Sequence, residues 1–137
     1  MKYKLSIIFL FVTLFSCSKD ESDRIPNVFV DYRISTVTFD TQANSGVLVV
    51  NKGPNNGVAG LIIFKYNGNY KAYDRCSSVN PEQACAVVVD DSNLTATDPC
   101  SGGKFSLIDG TPVKAPAKRA LKEYQVIISN FVLTVRN

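Results

Sequence analysis

The residues with the widest range of chemistry in this sequence are four cysteines: Cys17, Cys76, Cys85 and Cys100. A cysteine can bind a metal, form a disulfide or act as a nucleophile. The chain has no histidine, the side chain that most often serves as a general base near neutral pH. Asp90 and Asp91 do not replace it, because adjacent residues of a strand point to opposite faces, and a solvated turn explains them. We therefore predict that the protein is not an enzyme and has no catalytic residues.

The first of these cysteines follows an N-terminal segment typical of export. Lys2 and Lys4 precede an apolar stretch at 5–15, which is too short to span a bilayer as a permanent helix. Leu14-Phe15-Ser16-Cys17 resembles a bacterial lipobox, in which the cysteine is lipidated and becomes the first residue of the mature chain. We predict a signal peptide at 1–16, a lipid on Cys17 that anchors the protein to a membrane, and a polar tether over 17–26.

The residues after Cys17 bear on where the mature protein resides. Ser18-Lys19-Asp20-Glu21 resembles a short signal that sends some Gram-negative lipoproteins to the outer face of the outer membrane, and an ordinary flexible tether explains it equally well. We predict an outer-membrane lipoprotein of the cell envelope that faces either the periplasm or the cell surface. Without Lys2 and Lys4, 13 of the 15 basic residues remain against 12 acidic ones. Such a near-neutral domain is expected to carry no basic footprint for nucleic acid or anionic lipid.

The rest of the chain, 27–137, has the pattern of a single all-β domain. β-Branched and aromatic runs alternate with Gly, Asn, Asp and Pro, and no long window has a helical period. Strands are predicted near 28–34, 36–40, 46–51, 59–66, 69–75, 85–90, 93–96, 104–108, 124–129 and 131–136. Asn67-Gly68 predicts a tight hairpin turn, because both residues tolerate the positive φ that such a turn requires.

A family resemblance begins at Asp98-Pro99-Cys100-Ser101-Gly102-Gly103-Lys104-Phe105, which is similar to the second cluster-binding segment of Rieske iron-sulfur domains. The residues that match the family pattern in place are Pro99, Cys100, Gly102, Phe105, Gly110, Pro116, Ala117 and Leu121. Ala115 stands where the family has glycine. The first segment corresponds to residues 73–78. The resemblance covers 27–137 and implies an antiparallel β-sandwich or barrel with a small, degenerate cluster-binding subdomain at about 73–109.

The four ligand positions that the resemblance assigns are Cys76, Ser78, Asp98 and Ser101. A Rieske [2Fe-2S] centre uses two cysteines and two histidines, so a single ligand of the four is retained. We therefore expect no cofactor and no metal, with the Rieske cluster lost. Zinc held by the three remaining cysteines and Asp98 is disfavoured, because the spacing lacks a Cys-x-x-Cys pair and the exported protein meets oxidising conditions.

Some Rieske proteins join their two cluster loops by a disulfide, and the resemblance places Cys85 and Cys100 at those positions. Such a bridge closes a loop of about fifteen residues and contributes about 3 kcal/mol to stability. Cys76 paired with Cys100 is the alternative. Either pairing leaves one cysteine over in the mature domain.

The function that we predict is a non-enzymatic binding or structural role with an unknown ligand, on a membrane-anchored Rieske-like lipoprotein that lacks the iron-sulfur cluster. The alternative is a redox or electron-transfer accessory protein of the Rieske ferredoxin type, working through a thiol-disulfide pair or a [2Fe-2S]-related centre. The predicted partner is the membrane, through the lipid, together with an unidentified protein or small molecule.

Overall fold

The computed structural model describes residues 24–137. The predictions of a signal peptide at 1–16 and of lipidation at Cys17 lie outside the described residues, as does most of the predicted tether. Within 24–137, no helix has the length and apolar character needed to cross a membrane.

The described chain contains ten strands and one short α-helix, α1. In chain order these elements are β1 (Asp31–Ser35), α1 (Thr36–Gln42), β2 (Val47–Val50), β3 (Leu61–Tyr66), β4 (Asn69–Asp74), β5 (Val88–Val89), β6 (Thr95–Thr97), β7 (Lys104–Ser106), β8 (Pro112–Lys114), β9 (Glu123–Ser129) and β10 (Val132–Arg136). A 3-10 turn occupies Pro81–Gln83. The prediction of an all-β fold is confirmed.

The strands form two antiparallel sheets. The larger has six strands in the order β1-β10-β9-β4-β3-β2, and the smaller has four in the order β5-β6-β7-β8. Asn67 and Gly68 join β3 to β4 with φ angles of 49° and 78°, so the predicted Asn-Gly hairpin turn is present. Strands β5, β6 and β7 of the smaller sheet lie within 73–109, the range predicted for the cluster-binding subdomain, whereas β8 lies beyond it.

Strand β3 is buried on both faces and so joins two apolar cores. Ile62 and Phe64 pack with the small sheet, against residues such as Phe105. Leu61 and Ile63, which alternate with them, pack on the other face of β3, in the core that the large sheet shares with α1. Burial of such a side chain contributes about 1.5–3 kcal/mol, so this one strand stabilises both regions.

The strand predicted at 36–40 is wrong, because this segment forms α1. The Ser35 side chain accepts a hydrogen bond from the backbone N–H of Thr38 (2.9 Å), which caps the first turn. Phe39 is the residue of α1 that is buried in the core of the large sheet. Local capping and burial of one aromatic ring therefore outweigh the β propensity of the Thr and Val residues.

Candidate functional site

The candidate site lies at one end of the small sheet, where two loops meet. The first loop covers 75–87, between β4 and β5, and the second covers 98–103, between β6 and β7. We call these two loops the tip. A disulfide joins Cys85 of the first loop to Cys100 of the second, with an S–S distance of 2.01 Å. The structure thus contains the crosslink that the family resemblance placed between the two loops.

The second loop is organised by the carboxylate of Asp98, which is 1% exposed. Ser77 and Ser101 donate their hydroxyl hydrogens to its Oδ2 (2.7 and 2.6 Å), and the backbone N–H of Cys100 donates to its Oδ1 (2.8 Å). Burial acts to raise the pKa of Asp98, but these hydrogen bonds outweigh it and leave the pKa below its ordinary value. The side chain at this ligand position is therefore an ionised carboxylate that holds both loops together.

The disulfide sulfurs and the Asp98 carboxylate form a group that could hold a metal ion. The two sulfur atoms of Cys85 and Cys100 and a carboxylate oxygen of Asp98 all lie within 4.8 Å of one another. Two sulfurs and one oxygen suit zinc better than they suit a centre built from two cysteines and two histidines. The sulfurs become thiolate donors when the disulfide is reduced.

The other two ligand positions hold serines in different surroundings. Ser101 donates to Asp98, as described above, whereas Ser78 is on the outer side of the first loop. The Ser78 hydroxyl donates to the backbone carbonyl of Arg119 at 2.7 Å. The structure therefore brings Ser101 and Asp98 together and ties Ser78 to the segment that precedes β9.

Cys76 is the free cysteine of the described chain, and its side chain is fully buried. Its Sγ lies 3.5 Å from the carbonyl oxygen of Pro81. Burial, together with the nearby carboxylates of Asp74 and Asp98, raises the pKa of the thiol to about 11. Cys76 therefore stays protonated at neutral pH and is a poor nucleophile.

Asp74 is a structural position that the sequence analysis left unused, although it directly precedes the first loop. This buried carboxylate accepts hydrogen bonds from the backbone N–H groups of Val58 (2.6 Å), Ala59 (3.1 Å) and Cys76 (2.8 Å) and from the Tyr124 hydroxyl (2.8 Å). It links the large sheet to the start of the tip. A carboxylate two residues before a buried cysteine is the sequence signal that could have indicated this role.

Two glycines near the tip, Gly110 of the family pattern and Gly103, have steric reasons to be small. A Cβ atom on Gly110 would lie 2.8 Å from the Tyr73 ring, and Gly110 has a φ of 76°. A Cβ atom on Gly103 would lie 3.1 Å from the Cβ of Ala117. The glycine turn and the Pro-Ala segment therefore pack directly against the base of the tip.

A shallow cavity lies on one side of the tip, where the described chain begins. It has a volume of about 190 Å³, and its lining residues are Arg24, Ile25, Ser78, Arg119, Ala120 and Lys122. The Lys122 ammonium donates to the carbonyl oxygen of Pro26 (2.9 Å) and to Oδ1 of Asn27 (3.0 Å). Partial burial lowers the pKa of Lys122. The start of the described chain is therefore held against the tip.

The fold is that of known Rieske proteins. The cyanobacterial plasma membrane Rieske protein PetC3 from Synechocystis PCC 6803 matches over 81% of this chain and 100% of its own length, at 22% identity and a TM-score of 0.55. The Sphingomonas yanoikuyae B1 ferredoxin matches over 78% of this chain and 98% of its own, at 15% identity and a TM-score of 0.53. At these identities the likeness shows the fold alone, and the chain has a Rieske-like fold, as the sequence predicted.

The ferredoxin of carbazole 1,9a-dioxygenase from Nocardioides aromaticivorans IC177 adds a third similar structure. It matches over 77% of this chain and 96% of its own, at 15% identity and a TM-score of 0.52. No family model matches the chain, and neither does any curated protein.

The prediction that the protein has no cofactor and no metal is wrong in the form in which we made it. Cys85, Asp98 and Cys100 form a group that could hold a metal ion, and the similar structures are a Rieske protein and ferredoxins. Loss of the cluster does not follow from the structure. The prediction failed because it counted Asp98 as the loss of a ligand, whereas folding brings the Asp98 carboxylate close to the sulfurs of Cys85 and Cys100.

Proposed function

We propose that this protein is a lipid-anchored, non-enzymatic binding or structural component of the bacterial cell envelope, built on a Rieske-like fold. The support for the anchor is the sequence pattern around Cys17, and the support for a binding or structural role is the construction of the tip.

The observation that carries the proposal is that the tip is held in one conformation by interactions of its own side chains. The disulfide fixes Cys85 to Cys100, and Asp98 accepts hydrogen bonds from residues of both loops. A surface that is already ordered loses little conformational entropy when it binds a partner. These side chains bond to one another, which favours a role in recognition over one in catalysis.

Fractionation of cells that produce the full-length protein tests the anchor. We expect Cys17→Ala to move the protein out of the membrane fraction or to block its processing, whereas the matched control Ser18→Ala stays in the membrane and is processed. Full retention of a processed Cys17→Ala protein would contradict the lipid anchor.

A second candidate function, a redox role, is favoured by the group of Cys85, Asp98 and Cys100. Two electrons and two protons from a dithiol reductant would convert the disulfide into two thiols. Zinc could then displace both thiol protons and bind two thiolates and the Asp98 carboxylate, with water as the fourth ligand. This candidate requires the cysteines to change oxidation state in the cell.

Trapping of thiols in intact cells separates the two candidates. Cells are acid-quenched during normal growth and after reductive stress, and free thiols are tagged with a reagent that adds mass. The binding role predicts that Cys85 and Cys100 stay joined in both conditions. A reduced fraction that rises and falls with the conditions would favour the redox role. Zinc titration of the reduced protein, with Asp98→Asn as control, then tests whether the carboxylate contributes to binding.

A further inference from the structure

The start of the described chain lies against the tip. Arg24 and Ile25 line the same cavity as Ser78 and Arg119. Lys122 fixes the next residues through Pro26 and Asn27, and it directly precedes β9. The chain therefore emerges from the domain on the tip side.

The lipid-anchor proposal sets a limit on how far this side can lie from the membrane. Cys17 and Arg24 are seven residues apart, and a fully extended chain of that length spans at most about 25 Å. The opposite end of the domain is the turn between β9 and β10. It is separated from Lys122 by the length of β9, which is about 20 Å for seven residues. Because the reach of the tether exceeds the length of β9, the tether keeps the tip side near the bilayer but does not by itself set the orientation of the domain.

The charge on this side has the sign that a bilayer of anionic phospholipid attracts. Lys118 lines a second shallow cavity with Ser78 and Arg119, next to the first one. Composition predicted no basic footprint for anionic lipid, but folding gathers four cationic side chains, which we call the basic surface, around these two cavities: Arg24, Lys118, Arg119 and Lys122. Glu82 in the first loop and three acidic residues of the tether, Asp20, Glu21 and Asp23, offset part of this charge. Juxtamembrane clusters of Lys and Arg bind anionic headgroups, and salt weakens that attraction.

We infer that the basic surface rests on the phosphate groups of anionic phospholipids, so that the tip faces the membrane to which the protein is anchored. This inference rests on the proposed lipid anchor and extends it by naming the face that contacts lipid. The turn between β9 and β10, where Phe131 is 79% exposed, faces away from that bilayer. The end of the domain available to a soluble partner is then the one opposite the tip.

Fluorescence quenching in vesicles tests this orientation. The full-length lipidated protein is labelled at Ala120→Cys, beside the basic surface, or at Ser129→Cys, at the far end of β9. Both positions are exposed, whereas Cys76 is buried and Cys85 and Cys100 are joined. The vesicles contain phosphatidylethanolamine, phosphatidylglycerol and a lipid with a nitroxide on its headgroup. We expect at least threefold stronger quenching at position 120 than at position 129.

A charge-neutralising pair identifies the cause of the orientation. Arg24→Gln with Lys118→Gln should reduce the quenching at position 120 at least twofold, and so should high salt. The matched control is Arg33→Gln with Lys65→Gln, which removes the same charge from exposed ion pairs away from the tip and should leave the quenching unchanged.

The outcomes separate the inference from the anchor on which it depends. A labelled protein that does not float with the vesicles lacks the anchor, which overturns both proposals. A protein that floats but is quenched equally at both positions, or more at position 129, keeps the anchor and overturns the inferred orientation. A third outcome is stronger quenching at position 120 that Arg24→Gln with Lys118→Gln reduces no more than the control pair does. That result would overturn the electrostatic contact with lipid.

Discussion

The two regions of this domain are stabilised by different means. The six-stranded sheet has an apolar core shared with α1, in which Phe39, Leu61 and Ile63 are fully buried. The small sheet has four strands of two or three residues each, and its tip depends on a disulfide and on a buried carboxylate. The small sheet also has an apolar core, around Phe105 and Leu107, and the loops of the tip add covalent and electrostatic interactions to it. This difference indicates that reduction and acid should destabilise the tip more than the large sheet.

The pKa values of the carboxyl groups also differ between the two regions. The carboxyl groups whose pKa values lie below the ordinary range belong to the small region: Asp90, Asp98 and Asp109. In Asp90, hydrogen bonds from Thr95, Thr97 and Lys104 outweigh the effect of burial. Each of these groups favours its charged form in the folded protein, so strong acid should remove stabilisation from the small region.

The largest effect should come from Asp74, which joins the two regions. Asp74→Ala leaves three buried or half-buried backbone N–H groups and the Tyr124 hydroxyl without their acceptor. We expect a loss of about 4 kcal/mol in the free energy of unfolding, measured by denaturant titration. The control Asp40→Ala removes only an exposed ion pair with Lys65 and should cost less than about 0.5 kcal/mol. Equal losses for both variants would contradict the role of Asp74 as the link between the two regions.

Removal of the disulfide should have the next largest effect. Cys85→Ser with Cys100→Ser opens a loop whose ends are 15 residues apart and should cost about 3 kcal/mol. Reduction of the unmodified protein should give a loss of similar size, whereas reduction of the double variant should change nothing further. Amide hydrogen exchange should become faster in 75–87 and 98–103 before it becomes faster in β3. A loss spread evenly over both sheets would contradict the separate stabilisation of the tip.

Acid should weaken the tip through Asp98. A carboxyl whose pKa is depressed by folding stabilises the protein above its unfolded value of about 3.9, and this stabilisation is lost as the pH falls through the folded pKa. Asp98→Asn should therefore cost about 2 kcal/mol at pH 7 and flatten the decline in stability below about pH 5. Thermal unfolding from pH 7 down to pH 2 measures both. An unchanged acid profile would show that Asp98 does not carry the sensitivity.

The smallest expected effect is a difference in stability between variants of two buried tyrosines. The Tyr73 hydroxyl is buried without a hydrogen-bond partner among the described residues, whereas the Tyr124 hydroxyl donates to Asp74. Tyr73→Phe should change stability by less than about 0.5 kcal/mol or increase it slightly, since it removes an unsatisfied polar group. Tyr124→Phe should cost about 1.5 kcal/mol, because it removes the hydrogen bond that the hydroxyl donates to the buried Asp74 side chain. Equal costs, measured in urea, would contradict the difference in hydrogen bonding.

Much of the large sheet could be predicted from sequence, because its strands are long and apolar and its turns carry Asn or Gly. Strands β3 and β4 and the Asn67-Gly68 turn between them are close to the predicted positions. The helix α1 was missed because capping by Ser35 depends on one side-chain contact, which periodicity does not reveal. Strand β8 was missed because it is three residues long and begins with proline.

The tip was harder to predict than the strands. The family resemblance located Cys85, Asp98 and Cys100, but ligand arithmetic along the chain treated Asp98 as the loss of a ligand. In the folded protein this carboxylate lies beside both sulfurs and organises both loops. Its role depends on contacts between residues 21 positions apart, such as Ser77 with Asp98, and no local pattern encodes them.

One peptide map tests the central claim, that this is an anchored domain whose tip is covalently closed. The full-length protein is extracted from membranes, alkylated without reduction, digested and analysed by mass spectrometry. We expect an N-terminal peptide that starts at Cys17 and carries the mass of acyl chains, and a linked pair of peptides that contain Cys85 and Cys100. An N-terminus without lipid, together with alkylated Cys85 and Cys100, would contradict the claim.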